Sequence, residues 1–254
     1  MNEKHLFLPD GSLTLLAARP RMGEREFAVT IAQMLQNNYP KRQVIYFSLE
    51  VPRKWMYCKC NIPADSELCV IDHLFHFENI HRTAQLMQKC GRLGLIVVDN
   101  LQLMECFESE LMKSEYDSYE NTEQKHILMM NYILEHLKRM AKELQVPVLV
   151  IAYLAHNVDN RKDKHPVILD LRPAKITEQD ADQIWLLHRD SYYDSEADKR
   201  KSELIIAKNR YGDRETMQIF YERNGICNWF SGFTVSYDDI LDKGGNYDGK
   251  NDMQ

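Results

Sequence analysis

The residues best placed to do chemistry are Ala18-Arg19-Pro20-Arg21-Met22-Gly23-Glu24-Arg25-Glu26. An apolar run, Leu13-Thr14-Leu15-Leu16-Ala17, precedes them and reads as a short buried strand. Phe27 to Asn38 follows and reads as an amphipathic helix, with Phe27, Ile31, Met34 and Leu35 at helical spacing. Strand, tight loop and helix are the setting in which backbone amides at a helix N-terminus cradle a phosphate. Ala18 stands five residues before Gly23, as such a loop requires. A working loop then needs a Lys for the β- and γ-phosphates and a Ser or Thr hydroxyl for Mg²⁺. Those two positions hold Glu24 and Arg25. The stretch has the architecture of a nucleotide site and lacks two of its chemical parts.

The elements that would position this loop can be read from periodicity. Val44 to Leu49, Leu68 to Asp72, Leu93 to Val98 and Pro147 to Leu154 read as further strands. Helices are expected over Pro52 to Cys60, over residues 78–90, and most clearly over Ile127 to Leu144, where apolar residues keep helical spacing for five turns. Strands that are apolar almost throughout and alternate with helices imply a parallel sheet covered on both faces. Gln183 to Leu187, Glu203 to Lys208 and Thr216 to Tyr221 lack a long helix between them and suggest an antiparallel extension. Ligands bind such sheets at the carboxyl ends of strands, where Gly23, Glu50, Asp99 and Tyr153 all fall. Residues 105–125 carry seven acids against Lys113 and Lys125, a composition that suggests a mobile surface loop.

The chain has 254 residues, 44% hydrophobic and 28% charged, with a net charge of −6. These values describe a globular protein without a global basic footprint, so any nucleic-acid contact must come from local loops. No apolar run is long enough for a transmembrane helix, and no signal peptide is apparent. The six cysteines show no zinc-like spacing, which fits reduced thiols and a cytoplasmic protein. His73-Leu74-Phe75-His76 and Ser191-Tyr192-Tyr193 carry no metal-ligand pattern. One domain over residues 1–237 is expected, with a disordered Gly- and Asp-rich tail over 238–254.

Several stretches, taken together and in order, resemble the motor domain of DnaB-like replicative helicases. They are Ala18-Arg19-Pro20-x-Met22-Gly23, Phe47-Ser48-Leu49-Glu50, Ile96-Val97-Val98-Asp99 with Asn100 to Met104, Leu137 to Pro147, Asp170-Leu171-Arg172 with Glu178 to Asp182, and Lys208-Asn209-Arg210-Tyr211-Gly212. The resemblance covers about residues 8–230. It implies a RecA-like P-loop NTPase core: α/β, with a mostly parallel sheet, helices on both faces and an antiparallel extension at the C-terminal end. It also implies a ring, usually hexameric, with ATP and Mg²⁺ between neighbours. By this resemblance Glu50 would polarise the attacking water and Asp99 would position Mg²⁺. Arg210, assisted by Lys208, would reach a neighbour's γ-phosphate. Arg19, Arg21, Gly23, Glu24, Arg25 and Tyr153 would surround the nucleotide. The channel-facing loop would be Asn157 to His165, with Arg161, Lys162 and Lys164 available to the phosphates of single-stranded DNA.

Four departures from the family pattern gather at the phosphate site. Glu24 replaces a cation that would face a polyanion, and at an effective dielectric of ~20 one charge pair at ~4 Å is worth about 4 kcal/mol. Arg25 cannot act as a hydroxyl ligand. Tyr153 stands where the family usually has a Gln that senses the γ-phosphate, and Pro173 to Thr177 departs from the expected Glu-Ser-Gly segment. Arg21, Arg25 or Lys175 could supply a replacement cation. These departures leave two readings open: a helicase domain impaired in ATP hydrolysis, or a non-catalytic module that joins an active helicase in a replication or mobile-element complex.

Overall fold

The structure is a computed structural model that describes residues 4–60, 62–63, 66–91, 93–106, 122–174, 179, 181–224 and 227–237. The central sheet contains β2 (Leu13–Ala18), β3 (Gln43–Ser48), β4 (Cys69–Ile71), β5 (Leu93–Asp99), β6 (Val148–Tyr153), β7 (Gln183–His188), β8 (Lys201–Asn209), β9 (Thr216–Asn224) and β10 (Cys227–Ser231). Its spatial order is β10-β9-β8-β7-β2-β6-β5-β3-β4. A separate parallel pair joins β1 (Lys4–Phe7) to β11 (Phe233–Ser236).

The apolar runs are strands because both faces of the sheet are covered. Leu13, Leu15 and Ala17 of β2 face one core; Leu16 and Ala18 face the other. β5 alternates in the same way, with Ile96 and Val98 on one face and Leu95 and Val97 on the opposite one. Helices α3 (Phe77–Cys90) and α4 (Thr122–Leu144) cover the first core through Ile80, Ala84, Ile133, Leu137 and Met140. Helix α1 (Glu24–Asn38) covers the second through Phe27, Ile31 and Leu35, and the short α2 (Arg53–Lys59) adds Met56.

The antiparallel extension begins one strand later than its spacing suggests. β7 pairs parallel with β2, and only β8, β9 and β10 run antiparallel. About thirty residues separate β6 from β7, enough for a crossover built from 3-10 turns rather than a long helix. The acidic residues 107–121, Lys175 and the tail from 238 lie outside the described residues. Among the described residues, no helix is long and apolar enough to cross a membrane.

Candidate nucleotide site

The loop between β2 and α1 curls because two of its residues take positive φ, Arg21 at 72° and Gly23 at 99°. The curl turns backbone amides toward a common point, and that point is filled by the loop's own side chain. Glu24 Oε2 accepts the Gly23 amide at 3.0 Å, and Oε1 lies 3.4 Å from the Arg21 amide. Glu24 is only 3% exposed. Its carboxyl therefore stands where a bound phosphate would accept the same donors. Burial raises its pKa to about 7, with the Glu26 and Asp99 charges adding to the rise and its own amide and Arg25 opposing it. Helix α1 begins at Glu24, three residues before the apolar spacing announces it. Acidic Glu24 and Glu26 in its first turn suit the positive end of its dipole.

Arg25, at the hydroxyl position, supplies a cation to two acids of the chain itself. Its Nε donates to Asp99 Oδ2 at 2.6 Å, and its Nη2 donates to Glu50 Oε2 at 2.7 Å. The guanidinium thus bridges the two carboxylates at the ends of β5 and β3, the pair expected from the resemblance to serve Mg²⁺ and the attacking water. Burial alone would lower the Arg25 pKa, but the adjacent Asp99 carboxylate holds it above its ordinary value. Asp99 is fully buried, and burial pushes its own pKa up against the opposing pull of Arg25 and Tyr46. Tyr46 donates to Asp99 Oδ2 at 3.0 Å.

Glu50 is bound on the same oxygen by three donors. Besides Arg25, Oε2 accepts Asn100 Nδ2 at 3.0 Å and the Tyr153 hydroxyl at 2.5 Å. Burial, together with the Glu24 and Glu50 charges, raises the Tyr153 pKa and keeps the phenol a donor. Gln102 fixes the Tyr153 backbone through its amide and its carbonyl, at 3.2 and 3.0 Å. The remaining cleft, about 570 Å³, is lined by Arg21, Glu24, Arg25, Glu50, Trp55 and Tyr153 among others. Phe230 and Tyr221 of the β9–β10 hairpin close over Gly23, where a Cβ would meet the Phe230 ring at 3.0 Å.

Other expected site residues fall elsewhere. Arg19 turns away from the cleft: it is 5% exposed and donates to the Leu154 carbonyl at 2.7 Å and to Asp159 at 2.8 and 3.2 Å. It fastens the loop to the segment after β6. Arg210 and Lys208 lie at the end of β8 that pairs with the start of β7. There Arg210 Nη1 meets the buried Asp182 at 2.8 Å, beside Lys138. This is the opposite end of the sheet from the P-loop, about 17 Å away at ~3.3 Å per residue of β2. In the 157–165 loop, Arg161 forms a two-pronged pair with Asp170 at 2.9 Å, and Lys164 Nζ donates to the Asp159 carbonyl at 2.6 Å. Lys162 is exposed.

The model of the DnaB-like helicase C terminal domain matches residues 59–227. This chain belongs to that family. The match begins beyond the P-loop, so the altered loop lies outside the matched stretch, although individual relatives cover a larger share of the chain. "Replicative DNA helicase DnaB" of Geobacillus stearothermophilus is 30% identical over 240 residues, covering 82% of this chain and 50% of the relative. The chain spans about half the length of the curated relatives it matches. A solved DnaB-like replicative helicase, described with its interactions with primase, superposes with a TM-score of 0.71 at 26% identity, over 87% of this chain and 59% of that one. A second solved structure, an ATPase domain, gives 0.68 at 26% identity over 86% and 89%. The RecA-like fold expected from the sequence is therefore present in a DnaB-like motor domain.

In the sequence Glu24 reads as a lost cation, and Arg25 as a lost hydroxyl ligand or a replacement cation for a phosphate. Neither reading foresees that Glu24 sits on the Arg21 and Gly23 amides and Arg25 between the Asp99 and Glu50 carboxylates. The signal available was the pairing itself: an acid at the cation position directly followed by a base at the metal-ligand position. Tyr46, which donates to Asp99, stood within an expected strand without a mark of its own, and Asn100, which donates to Glu50, stood in a quoted family stretch without an assigned role.

Proposed function

We propose that this chain is a DnaB-like motor domain that does not take up Mg-ATP in its own cleft and serves as a non-hydrolysing subunit of a helicase assembly. The observation that carries the reading is the seating of Glu24 on the Arg21 and Gly23 amides while Arg25 bridges Asp99 and Glu50. Mg-ATP does not fit these residues: its phosphates would have to displace a buried carboxyl, and its metal a guanidinium already paired with two acids. No catalytic step is derived through it. The position of Arg210 at the far end of the sheet from its own loop supports a role for it toward a neighbouring copy, as the resemblance implies. The proposed partners are an active helicase subunit in a ring of hexameric type and single-stranded DNA met through the loop bearing Lys162, in the cytoplasm. The test mixes the chain with an active DnaB-type helicase and measures ATPase and co-elution. Co-assembly with altered turnover is expected; no association at any ratio would overturn the subunit role.

A further inference from the structure

A second cluster of chemistry-bearing side chains lies outside the nucleotide cleft, where β7 ends and β8 begins beside the 156–165 loop. His188 closes β7, Asp190 follows it, and Glu203 of β8 is the cross-strand partner of His188. His165 arrives from the loop, and its ring lies 4.3 Å, centroid to centroid, from that of His188. His188 Nε2 is 2.9 Å from Asp190 Oδ1, and His165 Nε2 is 3.1 Å from Glu203 Oε2. One ligand atom from each of His165, His188 and Asp190 lies within 4.8 Å of the others. We propose that His165, His188 and Asp190, with Glu203 beside them, form a binding site for a divalent transition ion of the zinc class.

The donor set argues for this ion class. Two imidazoles and carboxylate oxygens suit zinc and its neighbours, and four donors around zinc at ~2.1 Å stand about 3.4 Å apart. The 2.9 and 3.1 Å pairs lie a few tenths of an ångström inside that value and the three clustered ligand atoms are no more than 4.8 Å apart, so small side-chain movements suffice to close the site. Asp163 Oδ1 meets His165 Nδ1 at 2.6 Å, the carboxylate–histidine arrangement that orients metal ligands. His188 is 1% exposed, and among the described residues its buried Nδ1 has no hydrogen-bond partner, so on that side they hold the ring by packing rather than by a polar contact. The ligands come from a strand end, the turn after it and a distant loop, which is why no sequence spacing reveals them. An ion there would pin the loop carrying Arg161, Lys162 and Lys164 to the sheet.

The test titrates the chelator-treated full chain with Co²⁺, followed by visible absorption, and with Zn²⁺, followed by calorimetry. Because His188 is buried, the variants are His165→Gln and Asp190→Asn, whose parent side chains are 42% and 52% exposed. One ion per chain is expected, with a tetrahedral nitrogen–oxygen cobalt spectrum, and each variant should weaken binding at least tenfold while keeping the wild-type circular dichroism. No binding by the wild type, equal binding by both variants, or a sulfur-to-cobalt band placing the ion on cysteines would each overturn the site.

Discussion

Arg25 Nε lies 2.6 Å from Asp99 Oδ2, and the carboxylate it meets is fully buried. A guanidinium therefore supplies, within the chain, the positive charge that a buried acid at this strand end requires. Arg25→Ala should leave Asp99 with Tyr46 as its remaining side-chain donor and cost about 3 kcal/mol, since breaking a buried pair strands an uncompensated charge. Urea unfolding checks this, and adding Asp99→Asn to the same chain should recover part of the loss.

Glu24 makes stability depend on pH with a definite sign. Its folded pKa of about 7 lies above the ordinary 4.5, so the folded chain binds the extra proton between these values. The associated stability is fully present below pH 4.5 and is lost as pH rises through 7. Glu24→Gln keeps a neutral acceptor and abolishes this titration. The variant should therefore gain on the wild type as pH rises from 5 to 8, by up to about 3 kcal/mol. A pH series of denaturation midpoints for both proteins checks it.

Gly23 combines a φ of 99° with the Phe230 ring 3.0 Å from where a Cβ would sit. Gly23→Ala should cost about 1–3 kcal/mol, from left-handed strain and from displacement of the β9–β10 hairpin. Thermal unfolding of the variant measures the loss.

Arg19 and Arg210 should behave oppositely. Arg19 is buried on the Leu154 carbonyl and Asp159, so Arg19→Ala should destabilise by about 2–3 kcal/mol and open the 156–165 loop to proteolysis. The Arg210 side chain is 56% exposed, and Asp182 keeps Lys138 and the Leu13 amide, so Arg210→Ala should cost no more than about 1 kcal/mol. Its effect should appear instead as lost modulation of ATPase in mixed assemblies.

The central strands were legible because β2, β5 and β6 are buried on both faces and are apolar almost throughout. β1 and β11 were not, because Lys4–Phe7 pairs with Phe233–Ser236 and neither segment contains a local signal of a partner so far along the chain. The parallel pairing of β7 was hidden for a similar reason: direction is set by the crossover, not by the strand's own residues. At the site, chain order alone marked Glu50, Asp99 and Tyr153 as neighbours at strand ends. Whether Glu24 would point at its own loop depends on the positive φ of Arg21 and Gly23, which residue types alone do not fix.

Calorimetry with Mg-ATP, on the wild-type chain and on Glu24→Lys combined with Arg25→Thr, tests the central claim most directly. No measurable binding is expected for the wild type, and binding that also raises the unfolding temperature is expected for the double variant. Micromolar binding of Mg-ATP by the wild-type chain, or no difference between the two proteins, would contradict the account.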